Sequence, residues 1–132
     1  MSSAASAAPR RHAYTDPSAP QLPEPTYAER VRTLVFLGTL ATLSTVSRKR
    51  PGYPFGSLMP YAIDDVGRPI FLISNMAMHT QNLQADPRAS LFSSRAGDGD
   101  PLGIARATLV GDVLPVREEE KGAARERYLY KV

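Results

Sequence analysis

The 132-residue chain contains no cysteine. That excludes disulfide scaffolds, thiolate zinc sites and cysteine-held iron–sulfur clusters, and it fits a reducing, cytoplasmic setting. Long apolar runs are missing too. None approaches the ~20 residues that a spanning helix needs, so no membrane role is expected. Histidine is scarce, with only His12 and His79 present. So is an excess of either charge, since the formal net charge is +3. Basic residues are scattered apart from Arg48-Lys49-Arg50. That triplet precedes Pro51-Gly52 between two apolar segments, so it reads as a solvated hairpin tip, and no nucleic-acid partner is expected.

What is present suggests one small domain behind an irregular arm. Residues 1–25 are rich in Ala, Ser and Pro and bury little, so they are expected to form a disordered N-terminal arm, with the folded domain spanning 26–132. Thr26-Tyr27-Ala28-Glu29 has the form of a capping box, and Tyr27, Val31, Leu34 and Val35 follow near helical spacing until Gly38. Residues 39–46 are rich in β-branched side chains and alternate loosely, as in a strand. A turn at 48–52 leads into a second strand over 53–63. Pro54 and Pro60 lie inside it, so it is expected at a sheet edge or with a bulge. Asp64-Asp65-Val66-Gly67 reads as a hairpin turn rather than a metal site. The apolar stretch 69–74 reads as a third strand, 75–85 as a short helix closed by Asp86-Pro87, and 89–93 as a strand. A long strand over 104–116, with Gly111 as a bulge or close-approach point, precedes a charged helix from Arg117. Glu118-Glu119-Glu120 there complements the helix dipole. The expected class is α+β, a single antiparallel sheet of five or more strands closed into a barrel, with short peripheral helices. The helical pattern persists to Val132, so the domain is expected to be C-terminally incomplete.

Two stretches could carry chemistry. In the first, an apolar strand runs into a polar helix start with Ser74, Asn75, His79 and Thr80. Free helix amides, hydroxyls and an imidazole suit a phosphate dianion. The plainer reading makes Ser74 or Asn75 a cap and His79 a surface residue. The second is Pro54-Phe55-Gly56-Ser57-Leu58-Met59-Pro60-Tyr61-Ala62. It could offer unpaired backbone to a flat ligand, or it could simply be an edge strand blunted by proline against aggregation. No serine–histidine–acid set stands out, and nothing marks a nucleophile elbow.

Taken in order, several segments resemble the flavin split-barrel superfamily of pyridoxamine 5′-phosphate oxidase. They are Gly38-Thr39-Leu40-Ala41-Thr42-Leu43-Ser44, Pro54-Phe55-Gly56-Ser57, Gly67-Arg68-Pro69, His79-Thr80-Gln81-Asn82-Leu83, Ala85-Asp86-Pro87-Arg88-Ala89-Ser90-Leu91 and Arg106-Ala107-Thr108-Leu109-Val110-Gly111. The branch most resembled is that of the haem-utilisation proteins. The resemblance implies an antiparallel split β-barrel binding flavin mononucleotide (FMN), with Ser57, Leu58, Met59 and Tyr61 along the ring. The backbone of Leu58 and Met59 would face it. Ser74, His79 and Thr80 fall where the family holds the phosphate, and Arg106 would add a cation from a later strand. Met78-His79 stands where the oxidase has a basic pair. Proteins of this superfamily are typically homodimers with flavin sites at the subunit interface. The function implied is an FMN-dependent oxidoreductase acting on a small-molecule substrate or in haem utilisation. The alternative is a non-catalytic module on the same fold, binding haem or a protein.

Overall fold

The computed structural model describes residues 22–95 and 99–132. The expected arm lies outside the described residues as far as residue 21. Helix α1, Tyr27–Leu37, starts where the capping box places it. The Glu29 N–H donates to Thr26 Oγ1 at 3.1 Å, and the Thr26 hydroxyl donates in turn to the Glu29 carboxylate at 3.1 Å. Gly38 ends the helix without left-handed backbone, since its φ is −71°. Its missing Cβ is what matters: a Cβ here would collide with the Tyr61 hydroxyl and lie 3.3 Å from Ser93 Oγ.

Strand β1, Leu40–Val46, pairs with β2, Pro54–Pro60, through the turn at Arg48-Lys49-Arg50-Pro51-Gly52. The order of the four-stranded antiparallel sheet is β2-β1-β5-β6, with β5 at Arg88–Ser94 and β6 at Arg106–Asp112. The ladder register explains how β2 tolerates two prolines. Ser47 N–H donates to Tyr53 O and Tyr61 N–H to Thr39 O. Antiparallel pairing alternates, so the odd-numbered residues of β2 hydrogen-bond to β1 and the even-numbered ones face the open edge. Pro54 and Pro60 are both even and therefore remove no ladder bond.

Four expectations are corrected. The strand expected over 53–63 is two: at Tyr61 the chain leaves β2, and β3, Ala62–Ile63, pairs instead with β4, Pro69–Ile70, in a separate two-stranded sheet. The single sheet of five or more strands is thus a four-stranded and a two-stranded sheet, and no closed barrel forms among the described residues. Residues 71–74 lie outside any strand, although Phe71 and Ile73 pack on the core while Leu72 is exposed. Gly111 is neither a bulge nor a close approach. It pairs in register with Ala89, and a Cβ added there would meet nothing within 4 Å.

Ala41, Leu43, Met59 and Leu91 on one face of the larger sheet form the core with Val35, Tyr61 and Leu83. Helix α2, Met78–Ala85, and helix α3, Lys121–Lys131, complete an α+β architecture. A 3-10 turn at Glu118–Glu120 leads into α3, and Arg127 pins that helix to the β3–β4 hairpin through Asp65 at 2.7 Å and Ile63 O at 3.3 Å. Asp86 ends α2 and launches β5. Its carboxylate accepts Arg88 Nη2 at 2.7 Å and the Arg88 backbone N–H at 3.1 Å.

Two outcomes test this account. Gly38→Ala should destabilise the parent by about 1–3 kcal/mol, as overpacking does, and should cost clearly less in a Tyr61→Phe background, measured as a double-mutant cycle by urea unfolding. The second concerns acid. Hydrogen bonds from the Arg88 side chain, then from its backbone N–H, hold the Asp86 carboxyl down at about 2. A depressed carboxyl contributes fully above its unfolded value of 3.8, and the contribution is lost as pH falls from there toward 2. Asp86→Asn should therefore flatten that part of the acid-unfolding profile; an unchanged profile would remove the pair from the account.

Candidate functional site

Helix α2 is the element that carries most of the expected site residues, and its position is set by one buried side chain. Asn82, fully buried, accepts the Arg48 N–H on Oδ1 at 3.0 Å and donates from Nδ2 to Thr45 Oγ1 at 3.1 Å. Both donor and acceptor halves of the amide are used, which ties α2 to β1 and to the hairpin tip at once. The helix begins later than expected. Ser74 Oγ accepts the Met76 N–H at 3.2 Å and Ser74 O accepts the Ala77 N–H at 3.2 Å, so residues 74–77 form a turn and Ala77 becomes the N-cap.

An alanine cap supplies no side-chain acceptor to the first turn. The first intrahelical bond is Gln81 N–H to Ala77 O, so the amides of Met78, His79 and Thr80 lie in the unsatisfied zone of the helix. Two side chains there share the condition. His79 Nε2 and Thr80 Oγ1 are enclosed and have no hydrogen-bond partner. At 100° per residue His79 falls between Asn82 and Leu83, on the arc that faces the protein; the surface reading of His79 therefore gives way to a half-buried one. Each orphaned buried polar group costs about 1–3 kcal/mol, a cost that an anion accepting from them would relieve.

On β2 the expected ring-facing residues separate. Leu58, 70 % exposed, points out from the core face, and its N–H is on the open edge beside that of Gly56. Ser57 is half-buried on the core face opposite Leu43. The Met59 N–H is turned into the β1 ladder and its side chain is in the core. Tyr61 is completely buried, and its hydroxyl donates to Val35 O at 2.6 Å. Of the expected backbone pair, then, Leu58 alone presents a free amide.

Arg106 is exposed on β6 and pairs with Ser94. The strand order puts three strand spacings between β6 and β2, about 14 Å along the sheet. One chain therefore places Ser74 in the turn before α2 and His79 and Thr80 in its first turn, and leaves Arg106 at the opposite sheet edge from Leu58. A surface depression of about 410 Å³ at Glu24, Pro25, Thr26, Tyr27 and Arg30 involves none of these residues. Among the described residues no group of three or more His, Cys, Asp or Glu side chains could hold a metal, and no helix is long and apolar enough to cross a membrane. Sequence reasoning quoted Asn82 without giving it a role. The available signal was an asparagine inside a helix, a residue that competes with helical bonding unless a tertiary partner takes its amide.

An antiparallel α+β fold with strand order β2-β1-β5-β6 and a separate β3-β4 pair is consistent with a split-barrel protein. The chain belongs to the CREG β-barrel family, whose model matches residues 22–131. It is similar to the chloroplastic heme oxygenase HOZ of Arabidopsis thaliana, 41% identical over 103 residues that cover 78% of this chain and 32% of the plant protein. Among solved structures it is similar to a heme binding protein from Mycobacterium smegmatis, at 35% identity and a TM-score of 0.77, with 84% of this chain and 45% of that one covered. The heme storage protein HutZ of Vibrio cholerae shares the fold, at 21% identity, a TM-score of 0.58, and 71% and 66% of the two chains. The chain thus spans about a third of the plant relative and under half of the mycobacterial one.

Thr80→Val separates the site from the scaffold. Replacing an unpartnered hydroxyl by an isosteric methyl should leave stability unchanged or raise it by about 1 kcal/mol, while weakening any anionic ligand. A fall in the thermal midpoint would mean that the hydroxyl already has a partner.

Proposed function

We propose that this chain is the haem-binding split-barrel module of a larger haem-handling protein, acting as a homodimer. The observation that carries the reading is the first turn of α2, where Thr80 Oγ1, His79 Nε2 and three amides lack partners. These groups suit a carboxylate arm of a planar ligand, and the relatives with 41% and 35% identity are named for haem chemistry. Ser74, His79 and Thr80 would hold the anionic arm, and the open edge of β2 at Gly56 and Leu58 would meet the ring. Bound haem would supply the redox chemistry; the protein supplies placement and polarity. The chain itself contributes donors to the arm and exclusion of water from the ring. Arg106 lies at the opposite sheet edge from Leu58, and in the proposed homodimer it would serve the ligand of the second copy. Oxidation of haem or another small substrate is the reaction class that follows.

One observation favours FMN instead. The free N–H of Leu58 on an edge strand suits a ring nitrogen that accepts a hydrogen bond, which a porphyrin does not require. The two cofactors separate by spectrum. The purified chain titrated with hemin should give a saturable, shifted Soret band at one haem per chain and no retained flavin absorption. A yellow protein that ignores hemin transfers the reading to FMN, and one that takes up neither overturns both.

A further inference from the structure

The hairpin tip between β1 and β2 concentrates charge that the rest of the molecule leaves uncompensated. Arg30, Arg68, Arg88, Lys121 and Arg127 each pair with an acid, at 2.6 to 3.9 Å. Among the described residues Arg48, Lys49 and Arg50 pair with none, and all three are exposed. Three like charges in a row repel one another and favour a loose, extended loop. The tip is instead braced. Buried Ser47 accepts the Arg50 N–H on Oγ at 3.0 Å, and its own N–H donates to Tyr53 O at 2.7 Å. Tyr53 N–H returns to Arg50 O at 3.0 Å, and buried Asn82 on α2 accepts the Arg48 N–H at 3.0 Å. Gly52, at φ 85°, supplies the left-handed corner that closes the turn. These bonds use main-chain groups of the cations, so their side chains stay free while their roots are fixed. Tyr53, 67 % exposed, and the exposed Pro51 stand beside them. Reversing the chain between two strands needs only a short turn, and neither a buried serine nor an amide from another element.

We infer that this braced tip is a docking knob for an acidic patch on a partner protein. Its charge selects an anionic partner, and the groups around it select a protein. The β1–β5 register, which reaches Thr45↔Ala89, carries Asp86 and Arg88 to the same end of the sheet, and Asp112 pairs with Arg88 on β6. The cationic tip therefore projects from an end that also holds two carboxylates. A nucleic-acid backbone or an anionic bilayer presents continuous negative charge, which meets Asp86 and Asp112 as well as the cations. A discrete acidic patch covers the tip and leaves those carboxylates in water. Arg and Tyr are also the side chains that dominate protein–protein contacts. A tip ordered beforehand loses little conformational freedom on docking, which gives the bracing a purpose. β2 begins at Pro54, directly after the tip, so a docked partner borders the open edge of that strand. The inference goes beyond the proposed function and does not depend on which ligand the chain binds.

The test titrates the full chain with a fluorophore-labelled decaglutamate peptide, read by anisotropy and by amide resonances. The parent should bind saturably, with shifts centred on residues 47–53. The combined variant Arg48→Ala, Lys49→Ala and Arg50→Ala should bind about tenfold more weakly, the scale of three exposed ion pairs. Arg32→Ala, Arg117→Ala and Arg125→Ala together remove the same charge from exposed positions elsewhere. That control should lose about twofold at most, through net charge alone. Ser47→Ala keeps every charge but frees the Arg50 N–H, and it should cost about threefold through lost order at the tip. Equal losses in the two triple variants overturn the inference, as does full affinity in a folded Ser47→Ala. If Ser47→Ala does not fold, the triple variants decide alone, since they change only exposed side chains. Absence of saturable binding overturns it too. Duplex DNA or phosphatidylglycerol vesicles bound more tightly than the peptide, through the same three cations, overturn the assignment to a protein partner.

Discussion

The buried amide of Asn82 is the contact on which the candidate site depends. A helix of eight residues is too short to hold its shape in water, so α2 exists only as far as tertiary contacts hold it. Leu83 anchors one side of it in the core, but apolar burial is non-directional and would tolerate small rotations about the helix axis. Asn82 removes that freedom. Its two hydrogen bonds reach a side chain on β1 and a backbone amide at the hairpin tip, so the helix is fixed in rotation as well as in distance. The unpaired first turn is held where it is because the fifth and sixth residues of the helix, Asn82 and Leu83, are committed.

A second set of polar contacts decides where α1 stops. The last carbonyls of a helix have no partners within it. Here the Gly38 cap takes Leu34 O through its N–H at 3.1 Å, and distant parts of the chain take the next two, Val35 O by the Tyr61 hydroxyl at 2.6 Å and Phe36 O by Lys131 Nζ at 2.7 Å. Lys131 also lies 5.0 Å from the Tyr61 ring centroid, and burial holds its ammonium below the ordinary lysine value. Glycine at position 38 is what lets the tyrosine hydroxyl approach. The break between β2 and β3 has the same origin. Tyr61 turns its ring wholly into the core and its hydroxyl to α1, and the chain that leaves it pairs with a different strand.

The parts of the fold legible in the sequence were those written in local chemistry. The capping box located α1 within a residue, the prolines marked β2 as an edge strand, and Asp64-Asp65-Val66-Gly67 formed its turn with Gly67 at φ 87°. Long-range pairing was not legible. Residues 69–74 carry strand-like composition throughout, yet only Pro69 and Ile70 find a ladder, because β3 offers two residues to pair with. The strand expected over 104–116 contracts to seven residues because β5 supplies a partner for no more. At the site, the residue types that suit an anion were recognisable. What composition could not show was that Tyr61 and Met59 are spent on the core, or that Asn82 reaches across 34 residues to Arg48. The resemblance to a split barrel supplied the class, and the family match confirmed it at that level.

The arrangement also sets what kind of ligand it can distinguish. A porphyrin presents a broad apolar face and carboxylate arms, while an isoalloxazine presents a smaller ring with polar atoms along its edge. The free edge of β2 offers two amide donors, at Gly56 and Leu58, and prolines close it on either side. This is a short run of donors beside a wider apolar surface formed by Leu58, Phe92 and Val110, all exposed. Contact with a large apolar face scales with area, whereas hydrogen bonding to a ring edge saturates after one or two donors. In the proposed haem reading, an edge with so few donors next to a broad exposed face would therefore discriminate by shape and area more than by polar pattern.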